Sequence, residues 1–192
     1  MKKLILLAAV ACVAAVTTAR AQKVYKDGNA IVLDLSVAAG MPAGAVTTKH
    51  KVFPLSAPLD NNLVWSVDNL ESADSKGLLN QTVYHKLEVA PSNVQTAAMY
   101  WPAAVKACKE ANINGNTGWR LPTQRELIYI WIFREAIEGV GGDPFGDNSG
   151  YWSVTEESGT FAWSVTFAAG WVGFTEKSKM SWFVRCVREL EP

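Results

Sequence analysis

The chain is poor in the residues from which catalytic and metal sites are usually built. Its 192 residues include two histidines and three cysteines, and charged side chains make up only 19%. It has no HExxH sequence, no glycine-rich phosphate loop and no Ser-His-Asp signature. The adjacent pair Glu156-Glu157 does not replace them, because neighbouring side chains on a strand point to opposite faces and cannot converge on one substrate. With 18 basic and 18 acidic residues the formal net charge is +0, which sets aside a nucleic-acid partner held by phosphate neutralisation. The 49% hydrophobic content excludes a disordered chain, and the length suits one or two small domains. What the sequence has in excess is tryptophan: eight, each a large apolar surface with an N–H that needs a partner.

One long apolar run occurs, at the amino terminus. Lys2 and Lys3 precede Leu4 to Val16, and Ala19-Arg20-Ala21 places small residues where a signal peptidase reads, so residues 1–21 are expected to be a signal peptide cleaved before Gln22. A membrane anchor would need about 20 apolar residues, and Thr17, Thr18 and Arg20 interrupt the run. Lipidation at Cys12, after Ala9-Val10-Ala11, is the weaker alternative. Cleavage leaves 171 residues, removes Lys2, Lys3 and Arg20 but no acid, and so leaves 15 basic against 18 acidic groups, a net charge of −3. No transmembrane segment is then expected. The expected destination is the periplasm, the cell surface or the medium.

Cleavage also leaves two cysteines, Cys108 and Cys186. In an oxidising compartment they most simply form one disulfide, and two thiols cannot supply a four-ligand zinc site. A catalytic cysteine would need an activating histidine, yet His50 and His85 lie far off in the chain, each beside lysine as expected of solvent-facing strand positions. No cofactor is expected.

Residues 22–91 read as a β-rich amino-terminal segment. Ala30–Val37 alternates Ile31, Leu33, Leu35 and Val37 on one face, and Val46–Phe53, Leu63–Val67 and Thr82–Val89 are further predicted strands between turn-forming clusters. Residues 92–192 change period. Trp101-Pro102 opens a helix whose apolar stripe is Ala104, Val105, Cys108 and Ala111, which turns Cys108 to the core. A second helix begins at Thr123, spaced from Glu126 as a capping box, and Leu127, Ile128, Ile130, Trp131, Ile132, Phe133 and Ile137 nearly encircle it, predicting burial on most sides until Gly139 and Gly141-Gly142 end it. After the turn-rich stretch 143–150, Phe161, Trp163, Val165 and Phe167 alternate along a strand, Trp171–Phe174 returns, and Ser181–Val187 makes another strand.

These motifs resemble a known family. Trp101-x-x-Ala104-x-x-x-Cys108, Gly118-Trp119-Arg120-Leu121-Pro122-Thr123-x-x-Glu126-Leu127, Tyr151-Trp152-Ser153-x-Thr155, Ala162-Trp163-x-Val165-x-Phe167-x-x-Gly170 and Val184-Arg185-Cys186-Val187-Arg188 are similar, in the same order, to the Lcl C-terminal domain family, over about residues 96 to 189. The resemblance implies an α+β, C-type-lectin-like fold in residues 92–192, with two helices on a small antiparallel sheet, first and last strands paired, and a disulfide joining the first helix to the last strand. It also implies an adhesin or receptor-binding role toward glycosaminoglycans, other glycans or proteins.

Two related activities fit less well. The Glu-Pro-Asn or Gln-Pro-Asp loop and the Trp-Asn-Asp of calcium-dependent lectins are missing, although Asp143, Asp147 and Asn148 carry oxygens of the kind calcium takes; turn formation explains them better. Formylglycine-generating enzymes share an Arg-Leu-Pro-Thr stretch but use a reactive cysteine pair, which here is assigned to the disulfide. The expected function is therefore an exported, non-enzymatic binder of an extracellular glycan or surface protein, the alternative being a structural or tip subunit that contacts other members of a cell-surface assembly. The predicted ligand-binding residues are Trp171, Phe174, Glu176, Lys179 and Trp182, with alternation leaving Trp171 and Trp182 open between core and surface. Phe161, Trp163 and Phe167 are expected to fill the core. Arg185 and Arg188 could attract sulfated glycans, but salt pairing on a solvated face beside Glu189 and Glu191 is the expected role.

Overall fold

The computed structural model describes residues 23–36, 51–52, 78–79, 86–146 and 149–190. His50, His85 and the predicted strand Leu63–Val67 lie outside these residues. The architecture is α+β. Strands β1 (Val24–Asp27) and β2 (Ala30–Asp34) form a hairpin, turned at Gly28 with φ 58°, a left-handed conformation that glycine adopts without a Cβ penalty. β3 (Lys51–Val52) and β4 (Leu78–Leu79) make a short antiparallel ribbon. β5 (Lys86–Val89) pairs on one side with β2 and on the other with the final strand β9 (Val187–Leu190), giving an all-antiparallel sheet of order β1-β2-β5-β9. Segments far apart in sequence, 24–34 and 187–190, are thus stitched into one sheet, with Val89 opposite both Ile31 and Val187.

Helix α1 (Trp101–Lys109) carries Pro102 in its first turn, as the sequence requires, and buries Trp101, Ala104 and Cys108 along one stripe. Cys108 is disulfide-bonded to Cys186 just before β9, with Cα atoms 5.6 Å apart across 78 residues of sequence. Closing that loop stabilises the fold by roughly 4 to 5 kcal/mol through the unfolded state. Helix α2 (Gln124–Ile132) begins with the expected capping box: Thr123 Oγ1 accepts from the Glu126 N–H, and the Glu126 carboxylate accepts from the Thr123 N–H at 2.7 Å. The hydroxyl of Thr155, on the next strand, accepts from the Gln124 N–H and satisfies another free donor of that first turn.

Burial around α2 is narrower than its apolar sequence predicts. Leu127 and Ile130 are fully buried, while Ile132 is 52% exposed. The helix stops at Ile132, and after Phe133 the chain continues as α3 (Arg134–Gly139), which buries Ile137 instead. An apolar ring on a helix is covered only where neighbouring elements reach it.

Strands β6 (Gly150–Glu156), β7 (Phe161–Thr166) and β8 (Trp171–Glu176) form a second antiparallel sheet with β7 in the middle. It lies between two cores, as the pleat dictates. Tyr151, Val165 and Phe167 join Leu127, Ile130, Ile137 and the hairpin residues Ile31, Leu33 and Leu35 in one. Trp152 and Ala162, pointing the other way, join Trp101, Ala104, Trp119, Leu121 and the disulfide in the other.

Candidate binding site

The register of β7 and β8 decides which side chains share a surface. Phe161 is opposite Glu176, Trp163 opposite Phe174 and Val165 opposite Val172, so these six point to the face that α2 covers in part. Thr166 is opposite Trp171, Ser164 opposite Gly173 and Ala162 opposite Thr175, and they point to the α1 side. Trp171 and Phe174 are three residues apart and therefore lie on opposite faces of one strand. Trp171 is 59% exposed and Phe174 51%.

On the α2 side an aromatic cluster emerges beyond the helix. Phe174 stands nearly perpendicular to Trp163 (centroids 5.5 Å, 84°) and to Phe161 (5.7 Å, 80°), the edge-to-face geometry that ring quadrupoles favour. Phe161 and Trp163 are half-buried, a departure from their predicted core placement. Alternation assigns them the face of Phe167 correctly, but α2 covers only the Val165–Phe167 end of that face, where the Trp131 indole donates to the Phe167 carbonyl at 3.0 Å. Glu176, on the same face, pairs with Lys179 at 2.9 Å, so these two predicted site residues neutralise one another at the rim.

On the α1 side, the Trp182 ring lies over Gly150 in the space a Cβ there would fill. Gly150 is opposite Thr166, which is opposite Trp171, so Trp182 and Trp171 flank Thr166 across the sheet. Trp182 is partly buried against the disulfide-side core, and its Nε1 is sealed from solvent with no hydrogen-bond acceptor among the described residues. The five predicted residues thus divide: Phe174 and Glu176 on one face, Trp171 and Trp182 on the other, and Lys179 in the turn after β8.

The cations of residues 149–190 all have partners within the chain, two of them, Lys177 and Arg185, in the interior. Lys177 and Glu156 form a salt bridge with both side chains fully buried, and Lys177 Nζ also donates to the carbonyls of Ser158 and Gly159 at 2.9 Å and sits 4.7 Å from the centre of the Trp101 ring. Burial pulls the Lys177 pKa below that of an ordinary lysine, with the Glu156 carboxylate opposing. Arg185 is not on a solvated face as expected. It is 1% exposed, donates to the carbonyls of Ala90, Pro91 and Asp143 and to Asn93 Oδ1, and stacks over Phe145 at 4.1 Å. Burial lowers its pKa too, while the Tyr151 and Asp143 side chains act the other way. The predicted strand Ser181–Val187 is irregular through Cys186, with isolated bridges at Trp182 and Phe183 before β9, and the segments at 90–93 and 143 close over Arg185. Arg188 pairs with the buried Glu88 rather than with its sequence neighbour. Glu189 is held by Arg120, which also forks onto Glu126 at 2.7 and 2.9 Å. Burial alone would lower the Arg120 pKa, but the two carboxylates hold it above the usual arginine range.

Asp143 uses its backbone, accepting from Arg185 and donating to the Pro91 carbonyl, while Asp147 and Asn148 lie outside the described residues. No group of three His, Cys, Asp or Glu side chains is placed to hold a metal among the described residues. Cys108 and Cys186 are fully buried and joined to each other.

The family model of the Lcl C-terminal domain matches residues 58–188. The chain belongs to the Lcl C-terminal domain family. The match reaches further toward the amino terminus than the motifs suggest, since these begin near residue 96, and it takes in β5, whose pairing with β9 closes the first sheet. The hairpin β1–β2 lies before the matched region yet completes the same sheet. No curated protein matches the chain.

The framework motifs of this Lcl C-terminal domain have structural explanations. Trp101 and Trp152 are buried and donate their indole N–H groups to the Ser153 and Met99 carbonyls, both at 2.8 Å. Gly118 has φ 82° in the turn that feeds α2, and the Arg120 fork locks that turn onto the capping box. The sequence reading missed the Lys177–Glu156 pair, whose members are 21 residues apart and look solvent-facing in isolation. One available signal was Glu156 at the end of a strand lined by Tyr151, Trp152 and Val154.

Proposed function

We propose that this is an exported, non-enzymatic ligand-binding protein, adhesin- or receptor-like, with a C-type-lectin-like carboxyl domain that recognises a glycan or protein through its carboxyl-terminal sheet and loops. The observation that carries this reading is the exposure of two large aromatic side chains of β8 on a well-braced sheet, Phe174, braced by the half-buried Phe161 and Trp163, on one face and Trp171 on the other. Aromatic anchors dominate the energetics of recognition surfaces, and a rigid frame lowers the entropy lost when they engage. The C-type-lectin-like assignment is supported by the pairing of β5 with β9, the two opening helices and the disulfide between α1 and the last-strand segment. The non-enzymatic reading is supported by the buried disulfide, which occupies the cysteines an oxidase of the formylglycine-generating kind would use.

Because the aromatics lie on two faces, single substitutions test the reading and locate the site. Phe174→Ala and Trp171→Ala, each folded, are compared with wild type on a glycan array and on immobilised extracellular-matrix proteins. Loss of retention in one variant identifies the binding face. Retention unchanged in both, or no ligand for the wild type on either support, would contradict the proposal. A second reading, a subunit of a surface assembly, draws on β8 being an edge strand with apolar groups on both faces, a natural template for pairing. Stoichiometric co-purification with other envelope subunits would favour it.

A further inference from the structure

We infer that the ligand of the Phe161–Trp163–Phe174 face is an uncharged saccharide that lays the apolar side of a pyranose ring on the aromatic cluster, and not a sulfated or otherwise polyanionic glycan. This rests on the proposed binding function and assigns its ligand class.

The argument begins with the cations, because a polyanion is captured by cationic side chains free to release their counterions. Residues 149–190 contain four: Lys177, Lys179, Arg185 and Arg188. Lys177 is fully buried against Glu156, and Arg185 is buried among backbone carbonyls. Arg188 is paired with Glu88, and Lys179, whose side chain is 73% exposed, has its charge offset by Glu176 at 2.9 Å, which leaves it as the one solvent-facing cation of this stretch, beside a carboxylate. Arg120, bridged to β9 at Val187, carries two glutamates. Freeing any of the buried groups would strand a carboxylate or a set of carbonyls in the interior. The same stretch carries Glu156, Glu157, Glu176 and Glu189, so its formal charge balances to zero. Arg134, beside the Trp131 end of the face, donates to the Trp131 carbonyl and pairs with Glu135, so among the described residues none of these cations lacks a partner within the chain.

The cluster supplies what a neutral sugar needs. The axial C–H groups of a pyranose form a flat, weakly positive patch that complements the negative face of an aromatic ring. Phe174 is half-exposed and held upright by edge contacts to two neighbours, so its position is fixed before binding. Glu176, opposite Phe161 on the same face, offers carboxylate oxygens to sugar hydroxyls at the rim.

The test uses the full mature protein in isothermal titration with cellohexaose, laminarihexaose and chitohexaose as uncharged probes and heparin as the anionic one, at low salt and at tenfold higher salt. The expected result is binding of at least one uncharged probe with affinity changing by less than about twofold across the salt range, and a loss of roughly tenfold or more in Phe174→Ala. Trp163→Ala should lose as much, provided it still melts cooperatively; Phe174→Ala, at an exposed position, serves where Trp163→Ala does not fold. Heparin binding that falls steeply with salt, without binding of the uncharged probes, overturns the inference and leaves the glycan-binding function standing. Binding of an uncharged probe that is abolished by Trp171→Ala but not by Phe174→Ala overturns the placement. Binding of none of the four overturns the inference and the glycan reading together.

Discussion

Trp163 and Phe174 face each other across β7 and β8 with their rings at 84°, while Trp171, on the same strand as Phe174, projects from the opposite side of the sheet. That parity separates side chains adjacent in sequence into two surfaces of different energetic character. Phe174→Ala should cost about 1 to 2 kcal/mol, since it removes two edge-to-face contacts, whereas Trp171→Ala should stay within about 0.5 kcal/mol. Urea unfolding of both variants checks this, and equal losses would show that Trp171 also supports the core.

Glu156→Gln should destabilise the fold by about 3 to 5 kcal/mol, because it leaves the Lys177 ammonium buried without its counter-charge. The double replacement Glu156→Gln with Lys177→Met should recover most of that loss. A double-mutant cycle from urea midpoints measures the coupling, and additive losses would show that the pair is not a unit.

Lys177 also gives stability a specific alkaline dependence. Its folded-state pKa lies below the unfolded value of 10.5, so between the two the unfolded chain binds the proton and the folded chain does not. Its contribution to stability therefore rises with pH through that window. In Glu156→Gln the folded value falls further and the window widens downward. Unfolding free energies measured from neutral pH to pH 10.5 should rise more steeply in Glu156→Gln than in wild type, and Lys177→Met should lack this component.

Arg185→Ala should lower stability by about 3 kcal/mol, because the carbonyls of Ala90 and Asp143 and the Asn93 side chain lose the Arg185 donor inside the protein, while Pro91 keeps only the Asp143 N–H. Arg185→Lys should rescue little, since one ammonium cannot span acceptors on both loops. A variant of unchanged melting temperature would return Arg185 to the surface.

The elements written locally were legible in the sequence. Thr123 and Glu126 announce their capping box because partners three residues apart meet in any helix start, and the stripe through Ala104 and Cys108 faces inward because helical spacing leaves it no other choice. Strand β2 was visible in its alternation, although it ends at Asp34, before Val37. What failed depended on coverage by distant elements. Phe161 and Trp163 have the period of core residues, but among the described residues α2 covers only the Val165–Phe167 end of the strand. Arg185 has the chemistry of a surface residue, but the segments at 90–93 and 143 close over it. Trp171 and Phe174 divide between two faces because a separation of three on a strand places side chains on opposite sides.

The most direct measurement of the central claim is a titration of the tryptophan indole N–H signals by NMR, assigned by single Trp→Phe replacement, with chitohexaose, cellohexaose and laminarihexaose added in turn. Trp101, Trp119, Trp131 and Trp152 donate to internal carbonyls and should hold their positions as fixed references. The Trp163 signal should move saturably with at least one of these sugars and stay unmoved by it in Phe174→Ala. Movement confined to Trp171 and Trp182, or no movement of any indole signal, would contradict the account.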